Sequence, residues 1–161
     1  MKHNWKVSLI FAALLTLFVA YPAYSVKYDK SNPTKMYSKA YKMIDKGQYS
    51  KAQKILKNYT KSEPEDPDGW TLLAFTYRKL DKFAESEEYY LKALNLEPDN
   101  KSALEYQGEL FIETNRIDLA NANIKKLQNL CPNSCEELEK LQSYLLAVSY
   151  THLTLPTSPK V

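Results

Sequence analysis

The chain has 161 residues, 44% of them hydrophobic and 25% charged, with a formal net charge of +3. That composition suits one ordinary globular domain and excludes a collagen-like or disordered chain. Only three glycines argue against phosphate-cradling loops, and the two histidines, His3 and His152, sit at the extremes, so the body offers neither Ser-His-Asp nor Cys-His catalysis and no histidine metal site.

Residues 1–25 have the pattern of an export signal. Lys2 and Lys6 precede a 14-residue apolar run from Val7 to Ala20. Such a run is too short to span a ~30 Å hydrocarbon core comfortably. Ala23 and Ser25 place small residues three and one before a cut after Ser25. The other reading of this stretch is an uncleaved N-terminal anchor. No cysteine stands at the cut to carry a lipid. Cleavage leaves 20 basic and 19 acidic residues. That balance predicts no nucleic-acid partner and, with the signal removed, no stable membrane anchor. Residues 26–32 form a short polar lead.

The middle of the chain repeats. Segments 33–66, 67–100 and 101–134 are each 34 residues long and share one phase. Pro64, Pro98 and Pro132 close them, each where a helix must stop. In the second segment Trp70, Leu73 and Tyr77 make a stripe on a first helix. Phe83, Tyr90, Ala93 and Leu94 make a stripe on a second, with Leu80-Asp81-Lys82 turning the chain between them. Met36, Ala40, Met43, Ala52, Leu56 and Tyr59 follow the same phase in the first segment. Leu104, Gly108, Phe111, Ala120, Ile124 and Leu127 follow it in the third. Small residues at the eighth and twentieth positions let paired helices approach closely. One pair cannot bury its stripe alone, so stacked pairs must share a core.

Residues 135–147 form an amphipathic cap. Leu138, Leu141 and Leu145 face the third segment, and an acidic first turn suits the helix dipole. Residues 148–161 break the charge-rich pattern with β-branched residues and prolines, and are expected to be a non-native or disordered tail.

Period, spacing and closing proline resemble the tetratricopeptide repeat family. The resemblance implies an all-α, right-handed solenoid of three helix pairs plus a C-terminal capping helix. The run Leu130-Cys131-Pro132 to Cys135-Glu136-Glu137 resembles small periplasmic tetratricopeptide proteins of Gram-negative bacteria. That implies a periplasmic or secreted protein. Two cysteines in a short exported chain imply oxidation, and a Cys131–Cys135 bridge would clamp the cap to the third repeat. A redox-active pair is the alternative. A zinc site would need further Cys or His ligands.

In such arrays the second, fifth, ninth, twelfth and thirteenth positions of each first helix line a concave groove. The resemblance therefore assigns to it Tyr37 and Tyr41 from the first repeat. The second gives Thr71, Phe75, Arg78 and Lys79, and the third Glu105, Glu109, Ile112 and Glu113. Thr34, Ile44, Asp45, Asp68 and Ser102 hold the remaining groove positions. The groove would be aromatic at one end, basic in the middle and acidic at the far end, a pattern suited to a protein or peptide partner. The carboxylate-gripping set of chaperone-tail binders is not at the matching positions. Glu109 and Glu113, at i and i+4, could otherwise be a hydrolytic carboxylate pair, but like-charged pairs on helices are common.

Charge is also uneven along the chain. Residues 26–62 hold ten lysines and two acidic groups; residues 63–139 hold eight basic and seventeen acidic groups. Such polarity could drive head-to-tail self-association. The expectation is an exported binding scaffold, not an enzyme, with no cofactor and no metal. A thiol–disulfide redox protein using Cys131 and Cys135 is the alternative function.

Overall fold

The structure is a computed structural model and describes residues 32–154, with side chains described through residue 150. The expected signal segment and most of the polar lead lie outside the described residues. Seven helices follow in order: α1 (Pro33–Asp45), α2 (Tyr49–Ser62), α3 (Pro67–Arg78), α4 (Phe83–Leu96), α5 (Lys101–Glu113), α6 (Ile117–Leu130) and α7 (Glu136–Thr154). They form three antiparallel hairpins, α1–α2, α3–α4 and α5–α6, stacked so that α2 meets α3 and α4 meets α5. The architecture is the expected helical solenoid, and the described residues contain no strand.

The local chemistry repeats with the sequence. Each first helix opens on a side-chain cap: Asn32 accepts from Thr34 N at 3.0 Å, Asp66 from Asp68 N at 3.0 Å, and Asn100 from Ala103 N at 2.9 Å. Pro33 and Pro67 take the first helical position, where the missing N–H costs nothing. Each hairpin turns through a left-handed residue, Gly47, Asp81 or Asn115. Around these, Gln48 N donates to Met43 O, Lys82 N to Tyr77 O and Arg116 N to Phe111 O. These bonds satisfy carbonyls at the ends of the first helices, and the second helices begin without a side-chain cap.

Packing is close where the sequence is small. A Cβ on Gly69 would stand 2.5 Å from the Tyr59 ring, and one on Gly108 would stand 2.5 Å from Leu141. Ala40, Ala52, Leu56, Leu73 and Tyr77 are buried in one core, with Trp70 against them. Leu104, Phe111, Ala120, Leu127, Leu138 and Leu141 form a second core that reaches into α7. Trp70 also donates its indole N–H to Pro64 O at 2.8 Å and stacks on Tyr89.

α7 packs on α5 and α6, as the cap was expected to do. It is longer than the expected cap and runs through residues 148–154, which the sequence pattern assigns to the tail. Val148 packs against the second core. Ser149 stands at the repeat phase of Gly47, Asp81 and Asn115, yet α7 makes no turn there and continues as helix. Cys131 ends α6 and Cys135 precedes α7; they are disulfide-bonded with Cα atoms 5.7 Å apart.

Candidate functional site

The first helices α1, α3 and α5 lie side by side, and the residues assigned to the groove divide into two sets. Ninth and thirteenth positions of the first two units stay open or half-open. Tyr41 is 59% exposed, Lys79 is exposed, and Phe75 is half-buried. Fifth and twelfth positions of the inner units are covered by the neighbouring first helix. Thr71, Arg78, Glu105 and Ile112 are all buried, contrary to their expected place on an open groove. Thr71 donates to Pro67 O at 2.8 Å, and Ile112 belongs to the second core. The cause is that these positions point sideways, along the stack, where α5 covers α3 and α7 covers α5.

Arg78 is the largest departure. Its side chain is only 1% exposed. It is ion-paired with Glu109 and, at 2.6 Å, with Glu113. Glu113 also accepts from the Tyr144 hydroxyl at 2.8 Å. Burial works against the guanidinium charge, but Tyr90 and the two carboxylates hold its pKa above the usual value. The expected basic middle of the groove is thus neutralised. Glu109 and Glu113, the candidate hydrolytic pair, serve as counter-ions across the joint.

Glu105 is 3% exposed between α5 and α7. Burial and then the nearby Glu109 push its carboxyl up to about 7, against the partial relief of Lys140. The far end of the groove therefore carries less negative charge at neutral pH than the sequence suggests.

Two recesses, among the described residues, involve first-helix side chains. One, of about 110 Å³, is lined by Tyr41, Ile44, Asp45, Leu72, Phe75 and Tyr106. Phase alone missed Leu72 and Tyr106, which share the sixth repeat position. Phe75 sits at its centre, with ring centroids 5.0 Å from Tyr106 and 6.1 Å from Tyr49. Lys79 Nζ lies 6.0 Å from the same ring. The high tyrosine count was the available signal for this cluster. The second recess is wider, about 610 Å³, and lies among Thr34, Tyr37, Tyr59, Glu63, Asp66 and Asp68. Burial, then Asp68 and Asp66, push the Tyr37 hydroxyl up to about 12. The groove is therefore an aromatic trough with an exposed lysine beside it and carboxylates near its first-repeat end.

Residues 67–100 match the tetratricopeptide repeat family model. The second hairpin is thus a tetratricopeptide repeat. The stacked hairpins also resemble solved members of that fold. The translocator chaperone SycD of Yersinia enterocolitica, solved with a peptide of the translocator YopD, is 16% identical with a TM-score of 0.63, covering 74% of this chain and 93% of that one. The first repeat domain of Spaghetti (RPAP3), bound to the HSP90 peptide SRMEEVD, is 22% identical with a TM-score of 0.63, covering 75% and 96%. The repeat domain of Sgt2 from Aspergillus fumigatus is 15% identical with a TM-score of 0.65, covering 81% and 89%. No curated protein matches the chain. Identities this low establish a shared tetratricopeptide fold.

Proposed function

We propose that this protein is a non-enzymatic scaffold that binds a peptide segment of a partner protein along its concave face. The observation that carries the reading is the open aromatic recess built by Tyr41, Phe75 and Tyr106 from three successive repeats. An exposed tyrosine over a recess of side-chain size gives an apolar anchor, and Lys79 beside it gives register. Solved proteins of this fold hold peptides of their partners, which supports the same use here. The Cys131–Cys135 bridge acts as a staple between α6 and α7, with both sulfurs committed to holding the cap.

Export to the periplasm or beyond is part of the proposal. It is supported by the Lys2 to Ser25 pattern and by a disulfide, which persists in oxidising compartments. Within that setting the scaffold would serve cell-envelope assembly.

The test is affinity capture of partners followed by variants. Tyr41→Ala and Lys79→Glu should keep the thermal melt of the parent and weaken capture. Truncating an aromatic anchor costs about 2 kcal/mol of binding, roughly thirty-fold in affinity. Unchanged capture by both folded variants would move the binding surface elsewhere.

A further inference from the structure

Among the described residues nothing stacks on the face of α1 that looks away from the later hairpins, and its chemistry is singular. Lys35, Lys39, Lys42 and Lys46 follow at intervals of four, three and four. At about 100° per residue they fall within an arc of about 60°. They make one stripe roughly 16 Å long, and all four are exposed. Among the described residues none of them forms an ion pair.

These are the third, seventh, tenth and fourteenth repeat positions. In the later units the same positions build the joint with the preceding hairpin. Gly69 meets the Tyr59 ring of the unit before it. Leu73 and Thr76 are buried in the second unit, Ala103 and Leu110 in the third. The first unit thus presents lysine at positions where its successors carry glycine, alanine, leucine, threonine or, at Gln107, a buried amide.

A terminal unit needs a polar outer face, and a face serving only solubility would mix both signs. Here the sign is uniform. Residues 32–62 contain eight lysines and a single carboxylate, Asp45. Beside the stripe is a cleft of about 200 Å³, lined by Lys35, Met36, Lys39, Ile55 and Asn58. Met36 is buried and Ile55 half-buried, so the apolar floor lies below the lysine rim. A recessed floor receives a protruding side chain. It offers nothing that inserts into a flat lipid surface.

We propose that this α1–α2 end face docks an acidic α-helix of a partner protein. The helix lies where a preceding unit of the array would lie. Its carboxylates meet the lysine stripe and one apolar side chain enters the Met36–Ile55 cleft. This surface is distinct from the concave groove, so the protein would hold two partner segments at once.

The probe is a synthetic helical peptide of about 18 residues, some 27 Å long. It carries glutamates at intervals of four, three and four with leucine on the adjoining position, and its control carries lysine for glutamate. Fluorescence anisotropy with the full chain should show binding of the acidic peptide alone, weakening as salt rises and the Debye length shrinks. The double variant Lys39→Glu/Lys42→Glu should lose binding by about tenfold or more, and Lys39→Gln/Lys42→Gln by less. Both should match the parent in circular dichroism. Tyr41→Ala, in the groove, should bind the peptide normally. Equal binding by the Lys39→Glu/Lys42→Glu variant, or loss on Tyr41→Ala, would overturn the proposal. So would absence of peptide binding together with binding to phosphatidylglycerol vesicles, which would assign the face to lipid. Salt-sensitive self-association that disappears in the same double variant, without peptide binding, would assign it to a second copy and equally overturn it.

Discussion

The two inter-repeat joints are built from different materials. Between the first and second units the contact is aromatic and close. Tyr59 lies on Gly69, donates its hydroxyl to Asp66, and sits 5.4 Å from the Tyr37 ring. Between the second and third units an apolar contact of Ala74, Tyr90 and Leu110 is joined by a partly buried ionic network. Arg78 reaches Glu109 and Glu113, and Arg116 reaches Glu87 at 2.9 Å. Asn100 links Glu97 to Asp68 beside them. Ring-on-glycine packing gains by excluding water and tolerates small shifts. A buried ion network adds little net stability over apolar packing, yet it costs much to break on one side only. The first joint is therefore held mainly by area, and the second by area together with the geometry of its ion pairs.

Removing Arg78 should show the difference most strongly. Arg78→Ala leaves two partly buried carboxylates unpaired, and a loss of about 3–5 kcal/mol is expected in urea unfolding. Hydrogen exchange should report the loss in α5, α6 and α7 before α1 and α2. Arg78→Met with Glu109→Gln and Glu113→Gln should recover most of it. If Arg78→Ala cost less than 1 kcal/mol, the second joint would not depend on this network.

Reducing the Cys131–Cys135 bridge is the next largest step. A loop this short is worth about 2 kcal/mol in the chain-entropy model. The melting temperature should fall, and protection should drop first in α7. The first joint should not respond.

Gly69→Ala probes the aromatic joint directly. The added methyl meets a ring held by its hydrogen bond to Asp66, so overpacking of roughly 1–3 kcal/mol opposes a helix-propensity gain of up to about 1. Gly108→Ala meets only the flexible end of Leu141, and its net effect should be smaller. A reversed order would mean that Tyr59 moves freely.

The smallest effect is the dependence on pH at Glu105. Its carboxyl titrates near 7 in the folded chain, against about 4.5 when free. Between those values the folded state holds the extra proton, so this group's stabilisation is full below about 4.5 and is lost as pH rises through 7. The groups around it are Glu109 on its own helix and Glu136, Glu137 and Lys140 on α7. The melting temperature should therefore fall modestly from pH 5 to pH 8. Glu105→Gln should flatten that slope and raise the melting temperature at pH 8.

The sequence by itself determined the helix count, the 34-residue phase, the stops before Pro64, Pro98 and Pro132, and the staple at Cys131 and Cys135. Each of these depends on neighbours a few residues away or on a repeating stripe, and both are visible along a chain. The family resemblance, carried onto the repeat phase, also named Tyr41, Phe75 and Lys79 on the concave side. It could not separate them from Thr71, Arg78, Glu105 and Ile112, because which side of a first helix is covered depends on how closely the next unit stacks. Only the tertiary structure decided that. It turned Arg78 from a groove cation into a buried tie, brought Tyr106 beside Phe75 across a repeat boundary, and left the lysine stripe of α1 as a joint surface on which, among the described residues, nothing stacks.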